Sequence, residues 1–356
     1  MDRTGATAPR PLTAVEFTVV DGPLDGRMLG WVADLYGAVD PRFRCPDFLD
    51  HLLVHGPGGP ALHAFAIADD AAVGHAAVVP TPARRGAEPL SAGKLEALVV
   101  AEAYRGPRGG RVPVARTLLK RLYEHADVRG IELLHAYVTP SVGKAIGFSR
   151  LDGIGSPSLI ALLRPRAAAQ RHMAEQGLTA AQRIARRAAA AGARAFGAGA
   201  PDPVVRPVAS DDADLFETPP LPAGRWAVVA DGAFDWYASS PSIRILELTG
   251  EDGSRALVQL PGSTQEPLRI AAWESQTPGL RSAVRFLLAA ARLAEATGAA
   301  TLRAQEPQPN ASLKRAARVL GFVQRHDLTT LWVRTQDPSL ARPAAVVPTA
   351  MLYLGF

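Results

Sequence analysis

Hydrophobic and polar positions along this 356-residue chain fall into segments that come round twice in the same order. Val15–Val20 reads as a strand, and the stretch from about Leu24 to Tyr36 as an amphipathic helix. Asp47–Val54 predicts a second helix, stopped by the turn-rich Gly56-Pro57-Gly58-Gly59-Pro60. Ala61–Ala68 and Val73–Val79 predict an antiparallel hairpin turning at Asp69-Asp70, and Leu95–Val100 a further strand. Pro113 opens a helix at a position where its missing N–H costs nothing; Val114, Leu118, Leu119 and Leu122 form its apolar face and Gly130 ends it. Ile131–Val138 reads as a strand, Ser141–Ile146 as a short helix and Leu159–Leu163 as the last strand of this round.

An Ala- and Arg-rich segment, helical by pattern from about Ala167 to Ala193 with a breaker at Gly177, leads to the Gly/Ala/Pro linker Gly197–Pro203. The order then restarts. Arg244–Leu248 and Arg255–Leu260 predict a hairpin through Gly250–Gly253, Leu268–Ala272 a strand, and Gly279–Thr297 a long apolar helix closed by Gly298. Ala300–Gln305, Ser312–Val319 and Leu328–Val333 predict strand, helix and strand. The glycines after the two long helices, Gly130 and Gly298, are 168 residues apart, and Gly147-Phe148 and Gly321-Phe322 are 174 apart. Near-constant offsets with matched element order imply an internal duplication. The division that follows is residues 1–13 as a Pro- and Thr-rich disordered start, 14–164 as a first domain, 165–204 as a helical linker and 205–356 as a second domain.

The composition narrows the chemistry. A hydrophobic share of 47% suits a globular core in each half, and the bias toward Ala, Gly, Pro and Arg over Lys is that of a high-GC bacterial genome. Net charge is +5, and from Arg164 to Arg206 eight arginines face only Glu175 and Asp202. That segment reads either as a landing surface for an acidic partner or as a solvated helix. A single cysteine, Cys45, excludes an internal disulfide framework and a cysteine metal cluster. His51, His55, His63, His75, His125 and His172 show no metal-ligand spacing, so no metal is expected. Met1–Thr13 lacks the apolar core of a signal peptide, and no charge-free apolar run reaches membrane-spanning length. The expectation is a cytoplasmic protein with neither DNA nor membrane as partner.

The stretch richest in chemistry runs from Leu95 to Val112. There a strand passes into the turn Tyr104-Arg105-Gly106-Pro107-Arg108-Gly109-Gly110-Arg111-Val112 and then a helix N-terminus. Such a turn offers backbone N–H groups and the positive end of a helix dipole to a pyrophosphate. Glycines allow close approach, and Arg105, Arg108 and Arg111 add charge. Neither a Walker lysine nor a G-x-G-x-x-G is present, which disfavours nucleoside triphosphates and NAD.

Val100, Tyr104-Arg105-Gly106 and Gly109, with the later Gly147-Phe148, resemble the GNAT (N-acetyltransferase) superfamily; Asn310-Ala311 and Gly321-Phe322 resemble its later helix in the second half. Both halves also carry a Phe–Asp–aromatic stretch before a Pro turn, Phe48-Leu49-Asp50-His51 and Phe234-Asp235-Trp236-Tyr237. Together these resemble the tandem GNAT proteins of polysaccharide and natural-product clusters, over about Val15 to Val333. The resemblance implies an α/β (α+β) fold of two tandem GNAT-like domains, each a mixed, mostly antiparallel sheet flanked by helices. It also implies an acyltransferase that moves an acyl group from acyl-CoA or acetyl-CoA to a small-molecule amine by direct attack.

By that resemblance the donor meets Leu98, Val99, Val100, Arg105, Gly106, Arg108, Gly109, Gly110, Arg111 and Val112, with backbone N–H groups near Leu98–Val100 at the thioester carbonyl. Strand alternation puts Lys94, Glu96 and Leu98 on one face, making Glu96 the candidate general base beside the reading of a surface glutamate paired with Lys94. Tyr137, with His135 on the same strand, and Ser141 are candidate acids toward the leaving thiolate, against the plainer reading of a buried, hydrogen-bonded Tyr and a satisfied His. The sequence departs from the family where Pro107 and Arg108 lengthen the turn and Arg111 replaces a small residue; the helix that usually supplies a Tyr has none. The corresponding turn of the second half, Ser275-Gln276-Thr277-Pro278-Gly279, has no basic residue, which predicts a degenerate copy. Two alternatives stay open: an acyl carrier protein or aminoacyl-tRNA as donor, and a non-catalytic binding protein. Exposed edge strands leave room for a dimer.

Overall fold

The computed structural model describes residues 14–37, 39–105, 113–162, 204–208, 220–241, 243–250, 253–260, 267–274, 279–299, 301–305, 311–320 and 322–347, with backbone alone at 153–162, 272, 274, 305, 311 and 323–329. The Arg-rich segment and most of the predicted phosphate turn lie outside these residues. The chain divides into two compact units. One is drawn from Met1–Val54, Pro60–Val79 and Leu95–Gly130, the other from His55–Gly59, Pro80–Lys94 and Ile131–Phe356.

The first unit contains β1 (Glu16–Asp21), α1 (Gly26–Tyr36), α2 (Pro46–Leu49), β2 (Leu62–Ala68), the near part of β3 (Ala71–Arg85), the far part of β4 (Glu88–Val100) and α3 (Val114–Val128). Its strands lie in the order β1-β2-β3-β4. The β2–β3 turn has Asp69 at φ 50 and Asp70 at φ 61. Two consecutive positive φ values make the type I′ geometry whose twist suits a tight hairpin. At α1 the Asp25 carboxylate accepts from the Met28 amide at 2.8 Å, a side-chain cap that sets the helix start. The predicted helix over Asp47–Val54 is shorter than its pattern. After Leu49 it loosens into a π-helical turn, Asp50–Val54, which lets Phe48, Leu49, Leu52 and Leu53 all be buried. On α3, Val114, Leu118, Leu119, Leu122 and Ala126 are buried, as their period requires.

The second unit takes in the far end of β3, the near part of β4, β5 (Leu133–Val138), α4 (Pro140–Ala145), β6 (Ser149–Leu162), β7 (Val204–Pro207), β8 (Trp226–Val228), α5 (Ala233–Ala238), β9 (Arg244–Thr249) and β10 (Arg255–Leu260). It continues with β11 (Leu268–Glu274), α6 (Leu280–Ala296), β12 (Thr301–Gln305), α7 (Ala311–Val319) and β13 (Val323–Thr335). Its strand order is β4-β5-β13-β6-β12-β11-β10-β9-β7, with β8 on the end of β3. Among the described ladders of two or more pairs, the parallel ones are β4–β5 over Ala92–Lys94 and β11–β12 over Leu268–Ile270. Both are three pairs long, and β4 and β11 run on past them.

Each half of the sequence lends its last strand to the other. β13, from the second half, pairs with β5; β6, from the first, pairs with β12; and β6 and β13 pair with each other. The duplication is therefore a mutual exchange of strands rather than two beads on a string. Trp332 of β13 accordingly packs on α4, where a Cβ added to Gly143 would lie 2.1 Å from its ring. At the sheet edge, Glu247 of β9 is buried at 1% exposure and bridges Arg206 of β7 and Arg255 of β10.

Gly143→Ala forces Trp332 or α4 to move. The expected loss of stability is about 1–3 kcal/mol, as for other overpacked cores, read as a lower denaturant midpoint with an unchanged m-value.

Candidate active site

β4 carries the candidate site in the first unit. Leu95, Ala97 and Val99 are buried, whereas Lys94, Glu96 and Leu98 are half-exposed, the alternation that a strand with two unlike faces produces. Past Val100 the chain makes a single 3-10 turn, Glu102–Tyr104, and reaches Arg105. The Arg105 Nε donates to the Val100 carbonyl at 2.6 Å, folding the guanidinium over the end of β4. Gly106, Arg108, Gly109, Gly110, Arg111 and Val112 lie outside the described residues. The helix that follows is preceded by Pro113, at φ −68, and has no side-chain cap, unlike α1. α6, which holds the same place in the second half, also starts without one. Helix starts of this kind leave their first amides for another acceptor.

Tyr36, the last residue of α1, reaches β3 and β4 together. Its hydroxyl donates to the His75 carbonyl at 3.3 Å and accepts from the Val99 amide. Burial pushes the phenol well above its ordinary range, the Glu96 charge pushes it further, and the Val99 amide opposes both. The Tyr36 hydroxyl thus lies within the electrostatic reach of Glu96, one of the sequence-derived candidates. Its ring stacks on Phe43 at 4.7 Å and meets His75 edge-on at 5.7 Å.

Beside it are two buried imidazoles. His63 Nδ1 and His75 Nε2 are 3.1 Å apart, from facing strands β2 and β3. Burial holds His63 down at about 3; burial and then the neighbouring His63 hold His75 well below its ordinary value. Both are neutral at physiological pH, one nitrogen donating and the other accepting.

Tyr137 and Ser141 belong to the second unit. Tyr137 is half-buried on β5 opposite Leu331 of β13. Ser141 is exposed in the first turn of α4, its Oγ 3.2 Å from Thr139 Oγ1. His135 is buried, 3.2 Å from Thr81 Oγ1, and burial, helped by Lys94, lowers it to about 3. Among the described residues no group of three His, Cys, Asp or Glu side chains is placed to hold a metal ion. Nor is any described helix long and apolar enough to cross a membrane.

Tyr36 and the His63–His75 pair were not among the candidates from sequence. An aromatic at the end of an amphipathic helix reads as core, and two histidines in separate strands show no local spacing. The one available signal was that Asp69-Asp70 fixes the hairpin register, which sets Phe65 opposite His75 and His63 one face-position away.

No protein-family model matches the sequence, and no curated protein matches it. Solved structures do. A tandem GNAT protein from the clavulanic acid biosynthesis pathway is 14% identical and is matched over 91% of this chain and 99% of its own, with TM-score 0.57. N-myristoyltransferase of Saccharomyces cerevisiae, solved with myristoyl-CoA, is 12% identical over 93% and 81%, with TM-score 0.56. A probable N-acyltransferase of Enterococcus faecalis V583 is 9% identical over 91% and 73%, with TM-score 0.53. At such identities the likeness is one of fold, and it defines the class: the chain has the tandem GNAT fold, a mixed α/β architecture repeated twice.

Two outcomes test the buried cluster. Tyr36→Phe strands the His75 carbonyl and Val99 amide and costs about 1–3 kcal/mol in denaturant unfolding. His63, His75 and His135 have folded pKa values below the ordinary 6.5, so below that pH the unfolded chain binds protons that the folded chain refuses. Their contribution is complete above about pH 6.5 and is lost as pH falls toward 3. The unfolding midpoint therefore drops across that window, and less steeply in His63→Asn.

Proposed function

We propose that this protein is an acyltransferase that moves an acyl group from acyl-CoA to the amine of a small-molecule acceptor, the first half holding the donor. The observation that carries the reading is β4 itself. It is a strand of the tandem GNAT fold that outruns its three-residue ladder with β5 and leads through Arg105 to the uncapped start of α3. That geometry fits a pantetheine thioester. Half-exposed Leu98 offers apolar surface along the strand, while the guanidinium of Arg105 and the first amides of α3 suit phosphates. The residues 106–112 complete the phosphate turn in this proposal.

The bound thioester supplies the activated acyl group, and the acceptor nitrogen attacks it directly. Glu96 takes the proton from the amine; its place on the half-exposed face of β4 supports that role. Tyr137 and Ser141 enter as the groups to test for protonation of the leaving thiolate. Residues 14–164 and 205–356 are proposed as the two domains, 165–204 as the linker and 1–13 as a disordered start. The likeness to the tandem GNAT protein from clavulanic acid biosynthesis favours a natural-product amine as acceptor, and the bias toward Ala, Gly, Pro and Arg favours a bacterial source.

A thermal-shift titration with CoA, acetyl-CoA and longer acyl-CoAs tests donor binding. A ligand specific to the folded state stabilises it by about 2.7 kcal/mol at a hundredfold excess over Kd. Arg105→Ala should weaken binding at least about tenfold. Glu96→Gln should keep CoA binding while transfer to amines falls by about a hundredfold or more. No shift with any acyl-CoA would overturn the reading.

A further inference from the structure

Two alternate amides at the end of β4 face the same neighbour. The Ala101 amide donates to the Val73 carbonyl of β3 at 2.8 Å. The Val99 amide donates to the Tyr36 hydroxyl, which in turn donates to the His75 carbonyl of the same strand. Successive amides of an extended chain point to opposite edges, so the Val100 N–H between them faces away from β3. Near the start of the strand the phase is the reverse. There Ser91, also odd-numbered, turns its carbonyl the other way and accepts from the Glu132 amide just before β5 at 2.9 Å. The β4–β5 register runs without a shift from Ala92 to Lys94. β4 therefore takes in one extra residue between Lys94 and Val99, a β-bulge.

A bulge interrupts the ladder, and the backbone groups it disturbs must find partners elsewhere. Here the partner is a side chain from another element. Tyr36 ends α1, is buried, and packs its ring against Phe43 and His75, which fixes where its hydroxyl lies. The opposite edge of β4 is differently placed, because its ladder with β5 ends at Lys94. The Val100 carbonyl lies on that edge too, since it and the Ala101 N–H point in opposite directions across one planar peptide. It accepts from Arg105 Nε at 2.6 Å. The Val100 N–H and the Arg105 guanidinium thus share the edge of β4 turned away from β3.

We propose that Tyr36 is a positioning residue for acyl transfer: by taking up the Val99 amide, its hydroxyl holds the bulge and aims the Val100 N–H at the thioester carbonyl of the donor. This role rests on the acyl-transfer reading and narrows the amides near Leu98–Val100 to one. A donor N–H of this kind acts only if it is aimed beforehand, and a misplacement of about 1 Å can cost about a hundredfold in rate. Phenylalanine at this position keeps the packing on Phe43 and loses the hold on the strand.

The test is amide hydrogen exchange at Val99 and Val100, followed by NMR on the full chain. In the free wild type Val99 should exchange at least about tenfold more slowly than Val100. S-acetonyl-CoA, a thioether ketone that keeps a carbonyl near the sulfur but has no acyl group to transfer, should slow Val100 about tenfold or more. CoA, which has no such carbonyl, should not. In Tyr36→Phe, Val99 should exchange faster, and S-acetonyl-CoA should still raise the melting temperature but no longer slow Val100. A merely structural role would lower the melting temperature and leave the Val100 response intact. Should Tyr36→Phe fail to fold, a ring-fluorinated tyrosine in place of Tyr36 keeps the shape and makes the hydroxyl a poorer acceptor; it should speed Val99 and weaken the protection of Val100. The proposal is overturned if Val100 is the slower amide in the free wild type, or if the protection by S-acetonyl-CoA survives these replacements. If the Val99–Val100 contrast holds but no CoA compound raises the wild-type melting temperature, the acyl-transfer reading has failed and the role falls with it, while the bulge stands.

Discussion

The backbone groups of β5 and β12 place the governing demand on this structure. Each strand has only a three-residue parallel ladder on one side, to β4 and β11 respectively, and buried amides and carbonyls must find partners. The other side is satisfied by a strand from the opposite half: β13 along β5, from Thr330↔Val138 to Thr335↔Leu133, and β6 along β12, from Thr301↔Leu162 to Gln305↔Ser158. Because β6 and β13 also pair with each other, the exchange closes into one ladder, and no cut in the chain leaves either half with a complete sheet. Side-chain packing follows the same debt. α4 belongs to the first half, yet the ring lying over its Gly143 is Trp332 of the second.

Freed from part of its pairing, the end of β4 is held instead by side chains. Tyr36 joins a β3 carbonyl to a β4 amide, and Arg105 closes over the carbonyl of Val100. Polar groups gather here: His63 Nδ1 and His75 Nε2 satisfy each other, while His63 Nε2 and His75 Nδ1 are buried with no hydrogen-bond partner among the described residues. A hydroxyl that answers two strands fixes their relative position more tightly than apolar contact does, since hydrogen bonds are directional. Glu96, the proposed base, is on the same strand, and its charge is felt at the Tyr36 hydroxyl.

The two halves share a frame and differ in charge. In both, a strand outruns a three-pair parallel ladder and a helix then starts without a side-chain cap. The first half keeps arginines in the turn and a neutral histidine in the ladder; the second lacks basic residues in the turn and has paired arginines in the ladder.

Much of this was legible in the chain. Period-2 and period-3.6 patterns located most strands and helices to within a few residues, the Gly130/Gly298 spacing exposed the duplication, and alternation put Lys94, Glu96 and Leu98 on one face of β4. These are local properties, set by backbone geometry and by which side of an element meets water. The near part of β4, Glu88–Lys94, and β7 were missed because prolines and charges there break the alternation that marks a strand, and β8 because its three residues are too few to show one. The exchange of β6 and β13 was invisible for a different reason: a strand's apolar pattern is the same whichever neighbour it pairs with. So it is with Tyr36 against His75, His63 beside His75 and Arg269 opposite Arg303. Each pair joins residues from separate elements, and their meeting is a matter of register and packing that only the tertiary structure decides.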